Sequence, residues 1–435
     1  MMIDPRRLQR VLRTSAPLRR SLLLAILGGL LLLVGVSLSF RLLLMPFVSI
    51  VEEGINNVLL SFTNEDDLPM ARHIASGLFL VSGGYFLYSA FKNVLREITR
   101  ILNPGHEGRI VNSVLRHQAL AAGPDIVAIG GGTGLSTLLR GLKQQTNRIT
   151  AVVTVTDDGG SSGRLIDDKK ILPPGDIRNC LVALADAEKS MTDLFQHRFE
   201  GASGTLSGHS TGNLLIAAMV DISGDFDKAV REVSRVLAIQ GRVIPATLDT
   251  VKLRAEMKDG SVLAGESRIV NSKIGVSRIH LEPADCKPVT DALVALRDAD
   301  IIAIGPGSIY TSVVPPLLVP GFADAIAESR AIKVYVCNVM TQPGESDNFT
   351  AADHVQAIEE NVGRRIFDYV LINKAQPSEA SLERYHEVGQ HVVVADTERI
   401  KAMGYKPVAA NLISESDVVR HDPNRVAEAI ARLFD

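Results

Sequence analysis

The sequence predicts an α/β protein in which a parallel sheet carries a small antiparallel insertion and follows two transmembrane helices. Three observations predict this. From residue 125 onward, short β-branched runs alternate with stretches of helical spacing. Each of those runs gives way to Gly, Ser, Thr, Asp or Asn at its C-terminal end. Two uncharged apolar runs, at 21–40 and 74–91, come before all of them.

Composition removes several function classes. A chain of 435 residues is long enough for two or three domains. Lys and Arg number 46 against 49 Asp and Glu, a net charge of -3, which argues against a nucleic-acid partner. With 46% apolar and 22% charged residues the chain is not a disordered one. Cys180, Cys286 and Cys337 are too far apart for a disulfide framework or a zinc site, so reduced thiols and a cytosolic setting are expected. The mean hydropathy of +0.16 is high, and the excess is concentrated near the N-terminus.

The run SLLLAILGGLLLLVGVSLSF (21–40) spans roughly 30 Å as a helix, the thickness of a bilayer's hydrocarbon core. The run IASGLFLVSGGYFLYSAF (74–91) is shorter and richer in Gly and Ser. Six arginines lie in residues 1–20, and Lys92, Arg96, Arg100, Arg109 and Arg116 follow the second run. The segment between the runs carries Glu52, Glu53, Glu65, Asp66 and Asp67. Positive flanks face the cytoplasm, so both ends are expected inside and the loop outside. A cleaved signal peptide fits less well because RLLLMPF offers no small-residue cleavage site. A buried helical hairpin of a soluble domain is the remaining reading. The expected organisation is a basic terminus (1–20), a transmembrane hairpin (21–91), a juxtamembrane connector (92–123) and a cytoplasmic domain (124–435), placing the protein in the inner membrane.

In the cytoplasmic domain, strands are expected over 125–129, 149–156, 301–304, 333–336 and 369–372, with helical spacing at 135–142 and 214–220. Residues 241–290 alternate polar and apolar around a Lys-Asp-Gly turn and read as the antiparallel insertion. In an open α/β sheet, ligands bind at the C-terminal edge of the strands. The polar strand ends therefore mark the candidate site.

Gly131, Gly132, Thr133 and Gly134, between a strand and a helix, make a phosphate cradle of backbone amides and helix dipole. The run is neither the dinucleotide fingerprint, since Leu135 takes the third glycine's place, nor a P-loop, which needs a following Lys. Asp157, Asp158, Gly159 and Ser161 offer carboxylates for sugar hydroxyls or for a divalent cation; the same residues also suit an Asp-Gly surface turn. Asp176, Arg178 and Asn179 open a helix, where Arg178 can grip a phosphate or pair with a carboxylate. His209, Ser210 and Asn213 precede an apolar helix. GHSTG matches a nucleophile elbow only loosely, so helix-start donation to a ligand is preferred to serine catalysis. Gly305, Gly307, Ser308 and Thr311 form a second backbone-donor loop in which Tyr310 can stack a base, while Asn338 and Gln342 suit hydroxyl- or amide-bearing ligands. No His, Cys or carboxylate spacing demands a transition metal.

The ordered set IVAIGGGTGLSTLLRGLK, TVTDDGGSSGRL, PPGDIRNCLVALA, GHSTGN, GES, GPGSIYTS and KVYVCNVMTQPGES resembles the bacterial gluconeogenesis factor (YvcK-like) family, related to the 2-phospho-L-lactate transferase CofD. The likeness covers roughly residues 124–420. It implies a Rossmann-like, CofD-like fold and cytosolic binding of a UDP-sugar of the UDP-N-acetylglucosamine kind. It also implies a regulatory, non-enzymatic role in cell shape, peptidoglycan synthesis and gluconeogenic growth. Partners would be the nucleotide sugar, the membrane and cell-wall synthesis proteins; a homo-oligomer is left open. CofD uses a carboxylate-rich P-D-x-D-T segment with metal. Here Gly175-Asp176-Ile177-Arg178-Asn179 puts an arginine in place of the second carboxylate. That reversal should weaken metal binding and favour holding phosphate. The alternative is a CofD-type phosphotransferase in which Asp157, Asp158 and Asp176 hold Mg²⁺.

Overall fold

The computed structural model describes residues 118–435, apart from 187, 200–205, 416–418 and 435, together with scattered residues between 49 and 89. The chain divides into two units, residues 1–122 and 123–435.

The second unit is built on seven strands, all parallel: β1 (Ile126–Gly130), β2 (Ile149–Val153), β3 (Arg242–Pro245), β7 (Ile301–Ile304), β8 (Ile332–Val336), β9 (Tyr369–Asn373) and β10 (Lys406–Ala410). Their spatial order is β10-β9-β8-β7-β1-β2-β3. Every residue of β1, β2 and β7 is buried, which explains their unbroken apolar sequences. Such strands have helices on both faces and no wet side on which a polar residue could alternate.

From β1 the chain moves outward through β2 to β3. Later it returns beside β1 as β7 and moves out the other way through β8, β9 and β10. The order therefore reverses between β1 and β7, and the loops leaving these two strands diverge around a crevice. Ile126 is in register with Ile149 on one side and Ile301 on the other, so both neighbours end level with β1.

Of the helices that bear on the site, the first follows β1 and the other three lie between β2 and β3. They are α1 (Gly132–Leu142), α2 (Gly160–Lys169), α3 (Gly175–Leu184) and α4 (Thr211–Ser223). Leu135, Leu138, Leu139 and Leu142 bury one face of α1 against the sheet at the three- and four-residue spacing of an amphipathic helix. Ser210 caps α4 through the Asn213 N–H.

The antiparallel insertion is β4 (Lys252–Met257), β5 (Val262–Ala264) and β6 (Val276–Glu282), in the order β5-β4-β6. In β4 exposed and buried residues alternate strictly, as a sheet with one covered face requires. The expected insertion began too early. Residues 242–245 pair in parallel with β2 and form the edge of the main sheet, and Pro245 is tolerated because it ends an edge strand. The sequence reading also passed over β10 and a short hairpin, β11 (Ile413–Glu415) with β12 (Val419–His421).

The predicted transmembrane pair is not supported. The first run lies outside the described residues. In the second, described residues between 74 and 89 are helical. Yet among the described residues no single helix is long and apolar enough to cross a membrane. Ile309–Leu317 and Phe322–Glu328 qualify only as a pair bent by 76°. Ile309, Val313, Leu317, Phe322 and Ile326 are core residues of the second unit, which accounts for their apolar character.

Candidate functional site

Two glycine-bearing loops form the walls of the crevice. The β1 loop runs from Gly130, at φ +155°, into Gly132, at φ +63°, a backbone conformation that side chains rarely adopt. A Cβ on Gly134 would overlap the Pro306 carbonyl, so the close approach of the β1 and β7 loops requires glycine there. Gly131, at the N-cap of α1, has no side chain with which to cap it; the Asp176 carboxyl takes the Gly132 N–H, and the next N–H groups have no acceptor within the helix itself. From the β8 side, the Asn338 amide clamps the opposite loop. Its Nδ2 donates to the Gly307 carbonyl at 2.8 Å and its Oδ1 accepts from the Gly307 N–H at 3.0 Å. Gln342 Nε2 donates to Ser308 Oγ at 2.8 Å. The cleft between these loops has a volume of about 500 Å³.

Residues outside the predicted site set complete this wall. Tyr385, Gln390, Arg420 and His421 line it from the C-terminal part of the chain, and Glu266 reaches it from the insertion. Arg420 brings a guanidinium, and burial holds the His421 imidazole neutral by lowering its pKa to about 4.

A second, smaller cavity of about 250 Å³ lies where β2 ends. Asp157, the start of α2, the start of α3, Arg198 and Asn213 surround it. Arg178 Nη1 donates to Ser210 Oγ at 2.5 Å and to Asn213 Oδ1 at 3.0 Å, and its Nη2 donates to Asn179 Oδ1 at 3.0 Å. Ser161 Oγ meets His209 Nδ1 at 2.9 Å and accepts from Asn213 Nδ2 at 3.0 Å. This network ties the starts of α2, α3 and α4 into one frame.

Carboxyl groups stand between and behind the cavities. Asp176 packs against Gly131 and accepts from the Gly132 N–H. Burial, reinforced by repulsion from Asp157, pushes its pKa up to about 7. Glu266 is raised to about 9, first by burial and then by Asp157, Asp176, Asp158 and Glu345. Burial lifts Glu345 to about 7 against the favourable hydrogen bond from Thr311 Oγ1 at 3.1 Å. At neutral pH such a group carries protons rather than full negative charge.

The predicted site residues fall into three sets. Gly131, Gly132, Thr133, Gly134, Gly307, Ser308, Asn338 and Gln342 line the larger cavity. Asp157, Gly159, Ser161, Asp176, Arg178, Asn179 and Asn213 line the smaller. The rest face neither. His209 and Ser210 brace from behind, and Gly305 is the backbone turn ahead of the loop. Asp158 turns into the insertion, where its Oδ1 accepts from the Ser267 N–H at 2.8 Å.

Tyr310 corrects an expectation. It is 3% exposed, packed in the core within a π-helical turn (Ile309–Val313), and cannot stack on a ligand from there. Thr311 in the same turn is spent on Glu345. Ser210 lies in an isolated bridge with Arg198 and is fully buried, and among the described residues no strand leads into it as a nucleophile elbow needs. Of the proposed Mg²⁺ triad, Asp158 is engaged by the Ser267 N–H and Asp157 by the Gly159 N–H. Among the described residues no group of three or more His, Cys, Asp or Glu could hold a metal ion.

Comparison with known proteins gives a consistent family. The family described as 2-phospho-L-lactate transferase CofD matches residues 126–413. A relative from Nostoc sp. is 44% identical over 420 residues, 96% of this chain and 90% of its own length. The gluconeogenesis factor of Bacillus subtilis is 48% identical over 312 residues, covering 72% of this chain and 98% of the relative. A crystal structure of a Bacillus halodurans protein of the UPF0052 family superposes with a TM-score of 0.67 at 48% identity, over 71% of this chain and 98% of that one. With the fold, the ordered motifs and these relatives in agreement, the chain belongs to the CofD-like gluconeogenesis factor family.

Proposed function

We propose that the larger cavity binds a UDP-sugar of the UDP-N-acetylglucosamine class and that the protein acts as a regulator rather than as an enzyme. The observation that carries the reading is the meeting of two backbone-donor loops and the N-terminal turn of α1 in one cavity with Arg420 on its wall. Backbone amides and a guanidinium suit a diphosphate, and the Asn338 and Gln342 amides suit hydroxyl and acetamido groups. The volume of about 500 Å³ lies within the usual range for small-molecule sites. By the family resemblance, the output is control of cell shape, peptidoglycan synthesis and carbon metabolism through cell-wall synthesis proteins.

The apolar run at 21–40, the basic flanks and the acidic intervening segment support anchoring in the inner membrane with the domain inside. An anchor would hold the sensor where lipid-linked precursors are made, raising its effective concentration there.

The second reading is a CofD-type phosphotransferase, favoured by the family match itself. Arg178 stands where that reaction needs a carboxylate, and the divergence of Asp157 and Asp158 weighs against it. Calorimetry with UDP-N-acetylglucosamine in excess chelator separates the two. Binding that survives chelation supports the regulator, whereas strict Mg²⁺ dependence with release of nucleoside diphosphate supports the transferase.

A further inference from the structure

We propose that the smaller cavity is a second ligand site, built for the phosphate group of inorganic phosphate or of a small hydroxyl-bearing monoester, and filled independently of the larger one. The inference goes beyond the UDP-sugar reading, which concerns the larger cavity alone.

Arg178 carries most of the argument. It is 6% exposed and lines this cavity. All its hydrogen bonds go to neutral acceptors, namely Ser210, Asn213 and Asn179, and it forms no ion pair among the described residues. Its Nε is buried with no partner at all. Asp176 and Asp157 are the nearest opposite charges and attract it without forming an ion pair, and Asp176, raised to about 7, is partly protonated near neutral pH, so a ligand anion would add a balancing charge. A guanidinium that lines a cavity is suited to an oxyanion, which can offer it acceptors that Ser210, Asn213 and Asn179 do not fully replace.

Two other elements point at the same space. The ten-residue α2 starts there without a side-chain cap. The N–H groups of Gly160, Ser161 and Ser162 have no carbonyl one turn back within their own helix, and the dipole favours negative charge. Arg198 adds an exposed guanidinium at the rim, and its repulsion of Arg178 is a tension that an anion between them would relieve.

The remaining wall narrows the class of ligand. Asp157 and Asp176 also line the cavity and can accept from hydroxyl groups. That favours a phosphate carried on a hydroxylated stem over a bare apolar anion. About 250 Å³ is smaller than the usual nucleotide-sized pocket. The two cavities share no lining residue, and Asp176, packed against Gly131, forms the partition. The diphosphate of a nucleotide held on the α1 loops therefore does not fill the seat beside Arg178.

Calorimetry on the full-length protein tests this with inorganic phosphate and with glycerol 3-phosphate, each titrated with and without saturating UDP-N-acetylglucosamine. The expected result is binding of one or both in the millimolar range or tighter, changed less than twofold by the nucleotide sugar. Arg178→Lys should weaken it at least tenfold. Arg198→Met, at an exposed position with no bearing on the core, should weaken it at least threefold. A tighter Kd for the monoester assigns the stem to the carboxylate wall, and equal values assign the site to free phosphate. Competition with the nucleotide sugar would overturn the inference, as would binding that neither variant alters or no phosphate binding up to tens of millimolar. Should the phosphate bind as described while the nucleotide sugar does not, the second site stands and the UDP-sugar reading falls.

Discussion

Glu266 shows what a single residue inherits from its surroundings. Its carboxyl, near 4.5 in an unfolded chain, is held at about 9 in the fold by burial and by four neighbouring carboxylates. The folded state therefore keeps a proton that the unfolded state releases between these two values. Stability should fall as pH rises from about 5 to 9. Glu266→Gln, which mimics the protonated form, should flatten this decline and raise the denaturation midpoint at pH 8.5. Equilibrium unfolding at several pH values checks it, and an unchanged slope would remove Glu266 as the cause. At Asn338 the expectation concerns binding. Asn338→Ala removes both bonds to Gly307, frees the β7 loop and should weaken UDP-N-acetylglucosamine binding about tenfold, roughly 1.4 kcal/mol. Calorimetry measures this directly.

Among the elements, the two glycine loops work only as a pair. Gly134 sits so close to Pro306 that a methyl group would occupy the carbonyl's place. Gly134→Ala should force β1 and β7 apart at their ends, cost about 1–3 kcal/mol of stability and abolish ligand binding, with far-UV circular dichroism preserved. Wild-type affinity in that variant would mean that the loops do not hold the ligand. The elements also explain which motifs could be read in advance. GGGTG and GPGS announce themselves because glycine, strand and helix start are neighbours in the chain. Tyr310 misled because its motif is correct while its side chain turns inward, a choice made by the π-helical turn. Glu266 and Arg420 sit in segments with no phosphate-loop pattern and reach the cavity only through the insertion and the β11–β12 hairpin.

For the whole molecule, the second unit has its own sheet, its own core and both cavities. A fragment of residues 123–435 should unfold in one cooperative transition and bind UDP-N-acetylglucosamine within twofold of the full chain, unaffected by chelator. The Bacillus halodurans relative, aligned over 98% of its length to 71% of this chain, is consistent with that independence. A fragment that melts broadly, or binds much more weakly, would show that residues 1–122 contribute to the fold or to the site.

The sequence by itself determined the parallel strands, the loops at their polar ends and the family, because each is written in contiguous residues whose backbone needs are local. Only the tertiary structure decided how those loops divide between two cavities, that Asp158 and Tyr310 turn away, and that Glu266 and Arg420 belong to the site. Side-chain direction, burial and the shifts of charge that follow depend on what packs against a residue from far along the chain, and no local pattern encodes that.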